Sequence, residues 1–160
     1  MLVSLREWSN VKSADWSILL DAINEFSALH ELKPVVFSME PLNKKENEAL
    51  LQTGMELVRL NSVQELYLAM QSAKIAVNMR LHASILTVSA GIPSLIVSYS
   101  DKVKGQFEFL DIKQGISITN INAKKAEFIK KMNTIFNETA PHFNLEALAS
   151  QNINFLQQNC

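Results

Sequence analysis

At 160 residues, with 48% hydrophobic and 19% charged residues, the chain has the size and composition of one globular domain and not of a disordered segment. Lys plus Arg count 15 against 16 for Asp plus Glu, a formal net charge of −1, which gives no support for a nucleic-acid binder with a basic face. A lone cysteine, Cys160, excludes an internal disulfide or a cysteine metal cluster, and no window reaches the ~18 uncharged apolar residues of a membrane-spanning helix.

Residues 2–5 (LVSL) read as a short strand, followed at its carboxyl end by Arg6, Glu7 and Trp8. Charges at Arg6 and Glu7 and the lack of a long apolar run do not fit a signal peptide. A strand opening this early leads us to expect upstream sequence, on this chain or another. Ser13 reads as an N-cap, with Asp15 in the first turn and Trp16, Leu19, Leu20, Ile23, Phe26 and Leu29 at helical spacing. His30 falls at the far end, where a helix favours positive charge.

Residues 34–39 (PVVFSM) form the second expected strand, opened by a proline. A polar linker over 40–43 leads to a helix over 44–52, stopped by Gly54. A third strand is expected over 56–60. Asn61 and Ser62 then cap a helix that ends near Ser72. Residues 75–79 are nearly continuous in apolar character, which implies a strand covered on both faces and so a parallel sheet. A helix over 81–90 stops at Gly91, and Ile92-Pro93 turns into a strand over 94–98. Beyond it we expect a short helix over 101–109, a strand over 116–119, a helix over 123–138 broken by Pro141, and a terminal helix over 145–158. The alternation predicts an α/β fold: an open parallel, Rossmann-like sheet with helices on both faces, residues 1–160 forming one domain.

Ligands of open parallel sheets bind beyond the carboxyl ends of the strands. Arg6 follows the first strand. Arg80 and His82 follow the fourth, at the start of a helix. Tyr99, Asp101 and Lys102 follow the fifth. A single loop arginine is ordinarily a solvated charge, and a single histidine is most often a capping or packing group. Here three loops deliver cations to one edge, where helix N-termini also favour anions. The convergence marks Arg6, Arg80, His82 and Lys102 as a candidate site for phosphate or carboxylate, which an arginine fork can bind through two hydrogen bonds.

Other chemistries find little footing. The four glycines form no dinucleotide or P-loop pattern. His30, His82 and His142 share no metal-ligand spacing, and there is no serine nucleophile elbow.

Residues 79–110 (MRLHASILTVSAGIPSLIVSYSDKVKGQFEFL) resemble the C-terminal domain of the polysaccharide pyruvyl transferase family. The shared pattern is an apolar strand, Arg80-Leu81-His82, an apolar helix, Gly91-Ile92-Pro93, a second apolar strand, Tyr99, and Lys102-Val103. The opening VSLREW matches the family's strand that ends in arginine, here Arg6. Departures are Lys74 in place of an acidic residue, Asn78 in place of a glycine, and Ser100-Asp101 where the family favours Asp-Pro.

The resemblance implies transfer of pyruvate, as a ketal, from phosphoenolpyruvate to sugar hydroxyls of a cell-surface polysaccharide precursor, with no further cofactor. The donor's phosphate and carboxylate match the cations Arg6, Arg80 and Lys102, with Leu81 and Tyr99 as further expected binding residues, and His82, as an imidazolium among anionic groups, is suited to be the acid that protonates the donor's methylene carbon. Family members pair two Rossmann-like domains in a glycosyltransferase-B-like arrangement. The resemblance therefore implies that an N-terminal domain is absent from this sequence and that the acceptor, a glycan or lipid-linked sugar, lies in the cleft between the two. It also implies a cytoplasmic protein near the inner face of the membrane. Two other readings stand beside this one. The first is a nucleotide-sugar-binding glycosyltransferase domain, for which Glu108 is the obvious ribose ligand. The second is a non-catalytic remnant or subunit of a split transferase.

Overall fold

Short apolar runs that alternate with helical periodicity bury their faces only by stacking helices against a sheet. A computed structural model describes residues 1–6, 13–60, 62–99, 105, 115–117 and 125–137. Over these the order is β1 (Leu2–Ser4), α1 (Ser13–Leu29), β2 (Val35–Phe37), α2 (Lys44–Leu51), β3 (Glu56–Val58), α3 (Val63–Gln71), β4 (Ala76–Asn78), α4 (Leu81–Ser89), β5 (Ser94–Ser98), β6 (Gly115–Ser117) and α5 (Lys125–Asn137). The expected element types recur in the expected order, with most strands shortened at their ends. The helix expected over 101–109, apart from Gly105, and the one over 145–158 lie outside the described residues.

The six strands form one parallel sheet in the order β3-β2-β1-β4-β5-β6. Every residue of β1, β4 and β5 is buried, as expected for central strands covered on both faces. One face carries Val3, Val77, Leu95 and Val97 against Leu19, Ile23 and Phe26 of α1 and Phe128 and Met132 of α5. The other carries Leu2, Phe37 and Ala76 against Leu66 and Met70 of α3 and Ala83 of α4. Alternate residues of one strand thus serve opposite layers. His30, at the end of α1, packs its ring between Phe26 and Phe136, with centroids 4.4 and 4.7 Å away, and its Nε2 lies 2.6 Å from Asn133 Oδ1. It ties α1 to α5 by packing and a hydrogen bond, a role beyond the helix-end charge expected of it.

The helix ends follow their residue types. Asn43 Oδ1 accepts the Glu46 backbone N–H at 3.2 Å, and Ser62 Oγ accepts that of Glu65 at 3.1 Å. After α4, Gly91 adopts φ +72° and the N–H of Ile92 reaches the Thr87 carbonyl at 3.0 Å, closing a Schellman motif. The end of α1 has the same hydrogen bonds, from Leu32 N–H to the Ser27 carbonyl at 2.8 Å, yet the left-handed position is held by Glu31 at φ 52°.

A buried polar group locks α4 onto the sheet. Asn78 of β4 donates from Nδ2 to Thr87 Oγ1 at 2.7 Å, the Thr87 hydroxyl donates to the Ala83 carbonyl at 3.0 Å, and Ser94 Oγ of β5 lies 3.0 Å from Thr87 Oγ1. One threonine therefore joins a helix to two strands.

These features give three predictions, each read by denaturant unfolding. Glu31→Gly relieves a left-handed non-glycine residue and should raise stability by about 0.5–1 kcal/mol, while Gly91→Ala should lower it by about 1–2 kcal/mol, since no atom crowds the site and only the backbone conformation resists. Thr87→Val keeps the shape but strands the Asn78 amide, and should cost about 1–3 kcal/mol.

Candidate functional site

The strand order reverses between β1 and β4, so the connections from these two adjacent strands run in opposite directions and leave a crevice at their carboxyl ends. Ser4 pairs with Asn78 in register, and the Met79 N–H continues the ladder to the Ser4 carbonyl at 2.7 Å. Counting two residues on from each strand gives Arg6 and Arg80. The crevice is thus bordered by the two arginines singled out from the sequence, brought together across a separation of 74 positions by one strand pairing.

Arg80 is the N-cap residue of α4, with φ −88° and ψ 129° and no side-chain cap bond. Its carbonyl accepts the Ser84 N–H at 2.9 Å and the Ser84 hydroxyl at 2.9 Å, which starts the helix. The positive end of the helix dipole faces this edge. His82 is exposed in the first turn. Leu81 and Tyr99, both half-buried, pack on Ile96 of β5, so these two expected ligand-binding residues share one apolar support. Lys102, Asp101 and Glu108 lie outside the described residues.

The Arg80 guanidinium does not point into open solvent. Its Nη1 meets Glu40 Oε1 at 2.6 Å and its Nη2 meets Glu46 Oε1 at 2.5 Å. The arginine side chain is 11% exposed, that of Glu46 7%, and that of Glu40 48%. Glu46 stands in the first turn of α2, while Glu40 comes from the loop after β2, the neighbour of β1. Both Glu46 oxygens and Arg80 Nε are buried without a hydrogen-bond partner, so charge rather than hydrogen-bond alignment holds that pair.

Glu40 is held by its surroundings. Its backbone N–H donates to Ser38 Oγ at 3.0 Å, and its Oε2 accepts from Asn43 Nδ2 at 2.9 Å. The Asn43 hydrogen bond, then the Arg80 hydrogen bond and charge, and lastly the charge of Arg6 keep its carboxyl below the usual range, against a small opposing effect of desolvation. Glu40 is therefore ionised at neutral pH and lies in the field of both arginines.

Neither glutamate was singled out from the sequence. Residues 40–43 read as a polar linker, and the convergence after the strands is one of cations. A signal was present in Asn43-Lys44-Lys45-Glu46, the spacing of a capping box, in which the glutamate reaches back to the cap. Here Asn43 caps, but Glu46 turns inward to Arg80. Among the described residues no helix is long and apolar enough to cross a membrane.

The fold is similar to that of UDP-GlcNAc 2-epimerase of Methanocaldococcus jannaschii, with a TM-score of 0.66 and 12% identity, over 98% of this chain and 44% of that one. It is also similar to an O-GlcNAc transferase of Thermobaculum terrenum, with a TM-score of 0.54 and 11% identity, over 86% of this chain and 28% of that one. For the catalytic domain of cholesterol-α-glucosyltransferase from Helicobacter pylori the TM-score is 0.52 and the identity 17%, over 95% of this chain and 98% of that one. The chain thus spans less than half the length of the first two, and at these identities the likeness is one of fold. No curated protein matches the sequence. The family model for polysaccharide pyruvyl transferase matches residues 4–101, a span that holds Arg6, Glu40, Glu46, Arg80, His82 and Tyr99. With a Rossmann-like sheet whose switch point is flanked by the two arginines of that span, the chain belongs to the polysaccharide pyruvyl transferase family.

Proposed function

We propose that this chain binds the donor in a transferase that moves pyruvate, as a ketal, from phosphoenolpyruvate to sugar hydroxyls of a cell-surface polysaccharide precursor. The observation that carries the reading is the placement of Arg6 and Arg80 on either side of the β1–β4 crevice, within the stretch that matches the family. A donor with a phosphate and a carboxylate calls for two cations at such a spot, and arginine is suited to both groups. Lys102, which follows β5 in the sequence, adds a third cation, and Leu81 and Tyr99 give the donor's carbon skeleton an apolar flank.

In this mechanism His82 donates a proton to the methylene carbon of phosphoenolpyruvate. The methylene becomes a methyl group, and positive charge develops at the adjacent carbon that bears the phosphate ester oxygen. A sugar hydroxyl attacks that carbon and its proton returns to His82. A second hydroxyl replaces the phosphate, which leaves with the C–O bonding pair and takes up that hydroxyl's proton, and the product is a pyruvate ketal joined through two sugar oxygens. Imidazole suits the first step because it exchanges protons near neutral pH. His82 is exposed in the first turn of α4, beside Arg80, where it can meet a donor held by the arginines. The acceptor, a glycan or lipid-linked sugar, approaches from a second, N-terminal domain or subunit across the cleft. The setting is the cytoplasm, near the inner face of the membrane.

The test uses two variants with the acceptor and the acceptor-binding partner present. His82→Ala should lower phosphate release about 10²–10⁴-fold, with phosphoenolpyruvate binding by thermal shift largely kept. Arg6→Ala should weaken that binding instead. Unchanged turnover in His82→Ala refutes the acid role. Stabilisation by a nucleoside diphosphate and not by phosphoenolpyruvate points to a nucleotide-sugar site.

A further inference from the structure

The two carboxylates on Arg80 are not equivalent. Glu46 is 7% exposed, belongs to the first turn of a helix, and meets Nη2. Glu40 is 48% exposed, belongs to a loop, and meets Nη1. Withdrawing Glu46 would leave a buried guanidinium unpaired and carries a heavy penalty. Glu40 can swing into water, where it is solvated at once, and a pair with one half-exposed partner is weaker than a fully buried one. The loop keeps its turn when the side chain moves, since the Asn43 N–H donates to the Glu40 carbonyl at 2.8 Å and the Glu40 N–H to Ser38. A carboxylate in the field of both Arg6 and Arg80 is also chemically what a carboxylate- or phosphate-bearing donor brings.

We propose that Glu40 is a resident stand-in for the donor anion: in the free protein it occupies the outer nitrogen of Arg80, and donor binding exchanges it for the donor's anionic group while Glu46 keeps the inner nitrogen in place. This rests on the reading of the Arg6–Arg80 crevice as the donor site. It makes Glu40 a specificity residue. A ligand without negative charge gains nothing by displacing it, whereas an anion replaces one charge-assisted contact with another and is spared the cost of an unpaired arginine.

The experiment measures dissociation constants of the full chain for phosphoenolpyruvate and, separately, for inorganic phosphate, in the unaltered protein and in Glu40→Gln and Glu40→Ala. Thermal melts confirm folding. An internal competitor worth as much as an exposed ion pair predicts that both variants bind both anions ~3–10-fold more tightly. A glutamate with a merely structural role would leave affinity unchanged or weaken it. If the unaltered protein binds phosphoenolpyruvate and neither variant binds it more tightly, the stand-in is refuted while the donor site survives. If no folded form binds either anion, the donor site falls and the stand-in with it.

Discussion

The parallel pairing of β1 with β4 is the contact on which the rest of the molecule depends. It joins two runs of βαβ structure into one sheet and buries residues near the chain start in the centre of the core. It also creates the place, among the described strands, where connections diverge. A parallel pair costs more to close than a hairpin, because its two strands are far apart in sequence. Here that cost is offset by apolar burial on both faces of both strands. The same pairing sets Arg6 beside Arg80, so stability and the candidate site share one origin.

At that edge the electrostatics are more guarded than a row of cations suggests. One guanidinium faces two carboxylates, and Arg6 supplies a further positive charge that acts on Glu40. The inner pair resists opening because separation would expose a charge to low dielectric. The outer pair has a half-exposed carboxylate and opens more easily. The arrangement presets an arginine without burying it beyond reach. Rigid support comes from below, where Thr87 binds α4 to both β4 and β5 and so holds the helix start that carries Arg80 and His82.

Much of the fold is legible in the linear pattern. Period-two and period-3.6 segments alternate, and the doubly apolar run before Arg80 demands a strand covered on both faces. Gly54 and Gly91 mark helix stops, and both take positive φ. The stop at Glu31 carries no such mark, because any residue can be forced into the left-handed region when the hydrogen bonds of the motif hold it there. Arg6, Arg80 and His82 are legible because each closely follows an apolar strand in the sequence. Glu40 and Glu46 are not, because an ion pair across 40 and 34 positions depends on which strands adjoin.

The sequence by itself determined the class of fold, the order of its elements and the family, since these rest on local periodicity, helix-stop residues and short motifs. Only the tertiary structure decided that β1 lies between β2 and β4, and with it that the loop after β2 hands Glu40 to Arg80. Side-chain partnership is a matter of distance in space, and the strand order, not the chain order, sets that distance.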